Sequence, residues 1–326
     1  MLMITCTDKA VLAGKYPDTC LARYGSVSSN AIYHSEMALR IVLYALMSIA
    51  GRLKSTITPL LSLSIDFYVR VFVRVHRSAE GAKLQTENAG IVAECKNCCS
   101  HIILPLVNRD STGKSNRNRR GRLPALPESC TLCGLNETRA IAGPIYTGAL
   151  HDRKFITSLL ESLNCSSESI PPSPNSSSSV SDLNIEDAQG PQIQNRKWMF
   201  GLLSVIRDEL LDIPLYYSHS KLCRVFKVMQ MPKMEMIKEV LRLQGCRVSG
   251  SHTCSGSLKT NASANLIARV YGDWARRFKN GTSGHIESDA GIEFPSLVQS
   301  SNRPPAYYAG TPGRSPKARA TRSIRS

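Results

Sequence analysis

Residues 65–75 read IDFYVRVFVRV, and this run decides how the first part of the chain folds. Apolar residues occupy every odd position, namely Ile65, Phe67, Val69, Val71, Val73 and Val75. The even positions mix aspartate, arginine and aromatic residues. Strict alternation with β-branched residues on one side predicts a single β-strand over residues 65–75. Its second face carries both charge and aromatic rings, so we expect that face to be half-exposed or to line a site.

The segments before this run predict an α/β arrangement. Leu2–Thr5 is a short apolar run that predicts a buried strand, and Leu60–Ile65 predicts another. Between them, Tyr33–Arg52 places apolar residues at helical spacing over a wide face. A strand, a helix and two further strands are thus expected within residues 1–77.

Two polar residues, Thr7 and Asp8, follow the first predicted strand. Open α/β sheets bind ligands at the carboxyl ends of their strands, and an aspartate there can accept a hydrogen bond from a cofactor or a base. Alternatively, Asp8 caps a short helix over Lys9–Leu12, and spacing alone favours this second interpretation.

The composition restricts the possible partners. A length of 326 residues allows about two domains. With 41 Lys and Arg against 25 Asp and Glu, the net charge is +16, which favours nucleic acid first and an acidic membrane surface second. The longest apolar stretch, Met37–Ala50, contains Arg40 and is shorter than the roughly 20 residues of a membrane span. No signal peptide is visible, so we expect an intracellular protein with reduced thiols and no membrane partner.

Two Cys-x-x-Cys pairs carry the strongest chemical signal, and they consist of Cys95, Cys98, Cys130 and Cys133. Two such pairs give the closed Cys₄ coordination of structural zinc, which folds a segment and does no catalysis. The gap of 31 residues between the pairs exceeds the usual 15–20, although a basic loop fills much of it. Two unrelated pairs of core cysteines remain the alternative, and Cys99 adjoins the first pair.

The rest of the chain divides by composition. A loop over Arg109–Arg122 is basic, and residues 164–190 form a Ser/Pro-rich linker. Residues 193–280 contain 15 basic and six acidic residues in an alternation of short helices and strands. Their pattern suits a winged-helix-like RNA-binding module, or equally a generic α+β domain with a solvated basic face. Residues 281–326 are polar and basic and are expected to be a disordered tail.

Several segments together resemble the tRNA guanine-26 N2-dimethyltransferase family. In chain order these are ITCTDKAVL (4–12), ARYG (22–25), YHSEMALR (33–40), PLLSLSIDFYVRVFVRV (59–75), AGPIYTGALHD (142–152), DIPLYY (212–217) and RVSGSHTCSGSLKT (247–260). The resemblance implies methylation of the exocyclic N2 of a guanine in tRNA, usually twice, with S-adenosylmethionine as cofactor and zinc as metal. Cys95, Cys98, Cys130 and Cys133 fall where the family carries its zinc cysteines.

The fold implied by this resemblance is α/β plus α+β. It comprises the C-terminal half of a Rossmann-like class I methyltransferase sheet, a zinc-knuckle segment and a basic, winged-helix-like C-terminal domain. The expected divisions are residues 1–90 (partial methyltransferase domain), 91–163 (zinc-binding segment), 164–192 (linker), 193–280 (tRNA-binding domain) and 281–326 (tail). No protein partner can be inferred. The nucleus is the first expectation for the compartment, with mitochondria and plastids as alternatives.

The resemblance also assigns roles to single residues. Asp8 is the candidate catalytic residue and Thr7 the candidate cofactor contact, with Tyr24 and Gly25 helping to position the base. The tRNA phosphates are expected on four residues of the basic loop, namely Arg117, Arg119, Arg120 and Arg122.

Three elements of this methyltransferase class are missing from the sequence: the Gly-rich turn after strand 1, the acid after strand 2 and the Asp-Pro-aromatic-Gly loop after strand 4. We therefore expect an N-terminally truncated member that begins at strand 5 and retains strands 5, 7 and 6. Such a chain would be inactive alone and would expose an apolar sheet edge prone to aggregation. A non-catalytic zinc-containing tRNA-binding protein and a fragment without a stable fold are the alternatives.

Overall fold

The computed structural model describes residues 1–107, 126–136, 139–165 and 195–279. The strands in these residues are β1 Leu2–Cys6, β2 Ser55–Ile65, β3 Tyr68–Arg77, β4 Ala89–Cys95, β5 His101–Pro105, β6 Arg139–Tyr146, β7 Tyr217–Ser218, β8 Val248–Ser251 and β9 Cys254–Thr260. The helices are α1 Lys9–Leu12, α2 Pro17–Tyr24, α3 His34–Arg52, α4 Ala79–Gln85, α5 Arg153–Cys165, α6 Arg196–Asp208, α7 His219–Val225, α8 Met234–Leu243 and α9 Ala264–Lys279, with a 3₁₀ turn at Thr86–Asn88. The predicted basic loop, most of the linker and the tail lie outside the described residues.

The alternating run folds as a hairpin, so the expectation of one strand over residues 65–75 was wrong. Ile65 ends β2 and pairs with Tyr68, the first residue of β3, which leaves Asp66 and Phe67 as a two-residue turn. Paired residues lie on the same face of a sheet, so Ile65 shares its face with Tyr68 and not with Val69. A two-residue turn keeps apolar and polar residues alternating in the sequence, although residues before and after the turn change to the other face of the sheet. The alternation therefore gave no sign of the turn.

The first sheet has the strand order β1-β3-β2, with β3 antiparallel to both neighbours. β1 and β2 are therefore parallel to each other, and their carboxyl ends lie at the same edge. The order agrees with the order 5-7-6 that the resemblance implies for three such strands. β1 is an edge strand in the described sheet, and Leu2 and Met3 are 50% and 62% exposed.

Each face of this sheet is covered by helices because each face is apolar. Val69, Val71 and Val73 are buried in a core with α3. On the opposite face, Leu61 and Phe72 pack with α5 and α6 in a second core. The result is a three-layer arrangement in which α6 completes the outer layer that α5 begins.

Two further sheets complete the described fold. The order β5-β4-β6 forms one, and the order β7-β9-β8 forms the other. Helices α7, α8 and α9 pack on the last sheet around Ile237, Leu258 and Val270. Within the described residues, no helix combines the length and apolar character that a membrane crossing requires.

A chain of buried charged groups joins the first and last parts of the molecule. Glu36 on α3 accepts from Arg40 Nε at 2.9 Å and from Lys259 Nζ on β9 at 3.1 Å. Lys259 also donates to Glu209 Oε1 at 2.8 Å, and Glu209 Oε2 accepts from His252 Nδ1 at 2.9 Å. All five side chains are buried. The positive charges of Arg40 and Lys259 balance the negative charges of Glu36 and Glu209, so the buried ions are paired.

Candidate functional site

A groove opens where the carboxyl ends of β1 and β2 meet. It encloses about 370 Å³, near the lower end of the range for ligand pockets, roughly 300–1,000 Å³. Its lining comes from the start of the segment after β1, the first turn of α3 and the β2–β3 turn: Thr7, Lys9, Ala10, Ala13, His34, Asp66 and Phe67. The edge at which the sequence predicted ligand binding thus carries a cavity.

The two candidate residues after β1 have different surroundings. Thr7 lines the groove, whereas Asp8 does not. Asp8 Oδ1 accepts from the Tyr24 hydroxyl at 2.7 Å, and Asp8 Oδ2 accepts from Arg23 Nη1 at 3.2 Å. Asp8 occupies the N-cap position of α1, as the helix-cap alternative predicted, but its side chain makes no capping hydrogen bond to that helix. Burial and the bond to Asp8 raise the pKa of Tyr24, which therefore stays protonated and donates.

Gly25, predicted to help position a base, has a backbone role instead. It ends α2 in the left-handed conformation, with φ at +65°, and its N–H donates to the carbonyl of Leu21 at 2.9 Å. Glycine adopts this conformation without the steric cost that other residues meet. It is absent from the lining of the groove.

Sequence reasoning missed four groove residues, namely Lys9, His34, Asp66 and Phe67. Lys9 Nζ donates to the backbone carbonyl of Asp66 at 2.8 Å, so the amino group ties α1 to the hairpin turn. Burial lowers the pKa of Lys9. Asp66 has a φ of +37°, which is typical of a tight turn. An aspartate inside an otherwise perfect alternation was the one sequence signal that could have located this turn.

The four predicted zinc cysteines converge on one point. One sulfur from each of Cys95, Cys98, Cys130 and Cys133 lies within 4.8 Å of all the others. Cys95 Sγ is 3.8 Å from Cys133 Sγ, and Cys98 Sγ is 3.5 Å from Cys130 Sγ. A tetrahedron with Zn–S bonds of about 2.3 Å has sulfur–sulfur edges of about 3.8 Å. The donor set therefore fits zinc in chemistry and in size.

Both cysteine pairs have the same turn geometry. The N–H of Cys99 donates to the carbonyl of Cys95 at 2.8 Å, and the N–H of Gly134 donates to the carbonyl of Cys130 at 2.8 Å. The donating residue has a positive φ in each turn, +58° at Cys99 and +74° at Gly134. Cys99 thus occupies the left-handed position of the first turn, and its sulfur is outside the four-sulfur cluster.

Ser100 contacts the cluster. Its hydroxyl lies 3.2 Å from Cys98 Sγ and 3.1 Å from Cys130 Sγ. Burial raises the pKa of the Cys130 thiol, but hydrogen bonds from the Ser100 hydroxyl and from backbone N–H groups outweigh it and lower that pKa to about 6. Donors around a sulfur favour the thiolate, which is the form that binds a metal.

The cluster shares its core with the C-terminal region. Cys95, Cys98 and Cys130 are buried together with Leu222 of α7 and Ile237 of α8. The cysteine segment is thus packed on the region expected to hold RNA.

A second group of possible metal ligands, His151, Glu209 and His252, has a different character. One donor atom of each lies within 4.8 Å of the others, and all three are buried. Burial raises the pKa of Glu209, but Lys259 and His252 outweigh burial and hold it well below its usual range. Because Lys259 and Arg40 already balance the nearby carboxylates, a divalent ion would add two uncompensated charges to the interior. We interpret this group as part of the chain of buried charged groups that joins the first and last parts of the molecule.

The C-terminal region carries its positive charge mostly outside α8. On α8, Lys238 Nζ bonds Glu235 Oε1 at 2.8 Å and Arg242 Nη1 bonds Glu239 Oε2 at 3.2 Å. These pairs neutralise that helix surface. The predicted phosphate contacts Arg117, Arg119, Arg120 and Arg122 lie outside the described residues, so they stay a prediction.

Comparisons with known proteins agree with one another. A sequence model of the N2,N2-dimethylguanosine tRNA methyltransferase family matches residues 1–272. The tRNA (guanine(26)-N(2))-dimethyltransferase of Caenorhabditis elegans is 34% identical over 278 residues, which cover 83% of this chain and 48% of the worm protein. The mitochondrial enzyme of that name from Saccharomyces cerevisiae is 34% identical over 279 residues, 82% of this chain and 44% of the yeast protein. The chain spans about half the length of the curated relatives it matches.

A solved structure is similar in fold. Trm1 from Pyrococcus horikoshii in complex with S-adenosyl-L-methionine superimposes with a TM-score of 0.60 and 24% sequence identity. The match covers 82% of this chain and 57% of that chain. At this identity the likeness establishes a common fold with mixed α/β content.

Proposed function

The chain belongs to the N2,N2-dimethylguanosine tRNA methyltransferase family, and on this premise we propose that it acts in the S-adenosylmethionine-dependent methylation of N2 of guanine 26 in tRNA, up to dimethylation. One structural observation carries the proposal: the parallel ends of β1 and β2 meet at a groove large enough for a nucleobase. The relatives are named as dimethyltransferases, which favours an enzyme over a non-catalytic tRNA-binding protein.

The chemistry of guanine sets what the groove must do. The lone pair on N2 is delocalised into the ring, so the amine needs an acceptor that orients it and takes its proton. The base must also leave the helical stack to reach a protein groove. Thr7 and Asp66 bring oxygen acceptors to the lining. Asp8 has both carboxylate oxygens in use, so we assign it to positioning Tyr24 and α2 and not to contact with the amine.

We expect this chain alone to hold S-adenosylmethionine poorly, because two motifs of the methyltransferase class are missing from its sequence. The 326 residues contain neither a G-x-G turn that opens a strand–helix unit nor an Asp-Pro-aromatic-Gly run. In the described sheet β1 has β3 as its neighbour on one side and no strand on the other. We propose that residues 1–326 alone do not retain the cofactor, and we assign no catalytic step to it.

We propose zinc as the metal of the four-cysteine cluster, held by Cys95, Cys98, Cys130 and Cys133. The sulfur–sulfur distances support this assignment. Four protein ligands leave no open position, so the ion would supply structure and no chemistry. Its position in the core with α7 and α8 supports a role in fixing the cysteine segment to the C-terminal region.

We propose residues 193–280 as the tRNA-binding domain and a winged-helix-like module. The order α6, β7, α7, α8, β8, β9 and the sheet order β7-β9-β8 support this. The neutral surface of α8 suggests that phosphates are held elsewhere, and we keep Arg117, Arg119, Arg120 and Arg122 as candidates. The compartment stays a prediction, with the nucleus first; one relative is named as mitochondrial.

Two binding experiments test these proposals. In a filter-binding assay across a salt series, the purified chain should prefer tRNA to an unstructured RNA of equal length, with log K falling linearly with log salt. Neutralising the four loop arginines together should flatten that slope. Equal affinity for the two RNAs would overturn the function, and an unchanged slope would exclude the loop. Isothermal titration with S-adenosylmethionine should give no heat of binding, whereas micromolar affinity would overturn the cofactor proposal.

A further inference from the structure

The aromatic side chain of Phe67 lies exposed at the rim of the groove, where it contributes little to the stability of the fold. Phe67 is 86% exposed, although it belongs to the two-residue turn between β2 and β3 and lines the groove. A turn position is commonly filled by glycine, asparagine, aspartate or serine. A phenylalanine there leaves a large apolar ring in water and contributes little to stability.

The turn that carries this ring is held in place. Lys9 Nζ donates to the carbonyl of Asp66 at 2.8 Å and ties the turn to α1. On the neighbouring strand Arg70 Nε donates to Thr5 Oγ1 at 2.9 Å, which ties β3 to β1. The guanidinium of Arg70 also lies 5.2 Å from the ring centre of Tyr68. Phe67 is therefore an exposed ring on a fixed support, which lowers the entropy cost of using it as a contact.

The surroundings of the ring select a class of ligand. Lys9 places positive charge in the lining of the groove, which attracts a polyanion. Asp66 lines the same groove, and a carboxylate can accept from N–H donors. An aromatic ring next to a cation and an acceptor suits a base that has left its stack and carries N–H groups on its edge.

We propose that Phe67 is the stacking wall for the target guanine of tRNA. This inference rests on the proposed function and deepens it by naming a residue that positions the base. A purine that enters the groove stacks on the ring of Phe67, with its N1 and N2 edge on the side of Asp66.

A double-mutant cycle tests the stacking contact. The affinity of the full chain is measured by filter binding for two tRNA transcripts, one with guanosine and one with an abasic nucleotide at position 26. Phe67→Ala should weaken binding of the guanosine transcript by roughly tenfold, within the range of base–aromatic stacking. It should change binding of the abasic transcript by less than about twofold, and Phe67→Trp should restore the affinity for the guanosine transcript.

The control is Leu53→Ala, which removes another exposed apolar side chain, 70% exposed, near the opposite end of β2. This variant should bind both transcripts as the wild type does. Equal losses on both transcripts after Phe67→Ala, or none, would overturn the inference while the proposed function stands; a ring that stacks on the adenine of the methyl donor would give this result. A wild-type chain that does not prefer tRNA to unstructured RNA would overturn both.

Discussion

Replacing Lys259 with methionine tests the buried charge chain that joins the two ends of the molecule. The Lys259 side chain is 1% exposed and contacts both Glu36 and Glu209. Methionine keeps much of the length and apolar volume and removes the charge. Glu36 retains Arg40 and the backbone N–H of Leu215 as partners. Glu209 retains its hydrogen bond to His252 but loses the ammonium group of Lys259. The effect should therefore concentrate on Glu209.

Two estimates of the unfolding free energy lost in Lys259→Met agree. Breaking a buried ion pair by removing one partner costs about 3–5 kcal/mol. Alternatively, Glu209 escapes the penalty by taking up a proton, and keeping a carboxyl with an ordinary pKa of 4.5 neutral at pH 7 costs about 3.4 kcal/mol. The smaller figure sets the limit, since the folded protein adopts the cheaper state. We expect a loss of about 3 kcal/mol of unfolding free energy at pH 7.

The same reasoning gives the sign of the pH dependence. In the wild type, the pKa of Glu209 is held well below its usual range, so above pH 4.5 the carboxyl is ionised in both the folded and the unfolded chain. In the variant, the folded chain keeps the proton and the unfolded chain releases it above pH 4.5. The deficit should therefore grow by about 1.4 kcal/mol per pH unit as the pH rises from 5 to 7.

Urea denaturation followed by circular dichroism at pH 5, 6 and 7 measures this deficit. The second substitution Glu209→Gln, added to Lys259→Met, should abolish its pH dependence because no titrating carboxyl remains there. Arg242→Met breaks an exposed ion pair with Glu239 and should cost less than about 1 kcal/mol at any of these pH values. A Lys259→Met deficit below about 1 kcal/mol at pH 7, or one that does not change with pH, would refute the reasoning.

Four other substitutions have clear expected outcomes. Cys130→Ser should lose one equivalent of zinc in atomic emission spectroscopy and about 3 kcal/mol or more of stability, whereas Cys99→Ser should keep the metal; zinc retained by Cys130→Ser would argue against the four-sulfur site. Burial lowers the pKa of His101 to about 4 from 6.5, so the unfolded chain binds the extra proton and stability should fall by about 2 kcal/mol between pH 7 and pH 5. His101→Phe should remove that part of the fall in denaturation curves, and an unchanged fall would assign it to other groups. Tyr24→Phe removes the hydroxyl bonded to Asp8 and should lower the unfolding free energy by about 1 kcal/mol. An unchanged urea midpoint would show that this hydrogen bond does not stabilise the fold.

Local patterns predicted part of this molecule well. The spacing of the four cysteines predicted their convergence, because a Cys-x-x-Cys turn needs no distant residue to present two sulfurs together. The valines of β3 predicted a buried face, and Val69, Val71 and Val73 are buried. The two-residue turn at Asp66 escaped detection since it keeps the alternation intact.

Contacts between distant segments could not be predicted in this way. The link between Asp8 and Tyr24 depends on how α2 packs, which spacing along the chain does not fix. Arg40 was interpreted as an interruption of an apolar stretch, yet it is buried and bonded to Glu36 one turn away. A glutamate four residues before an arginine on one helix is a visible signal for such a pair. Its burial, however, requires Lys259 from the other end of the chain.

The packing of α5 against α6 has a consequence for a cleaved chain. Residues on both helices, including Ile156 and Ile206, share one core with Leu61 of β2. A protease cut between these two helices would therefore leave two pieces joined by an apolar interface and by the buried ions. We expect the nicked protein to elute as one species, and the two pieces, expressed separately, to reassemble by fragment complementation.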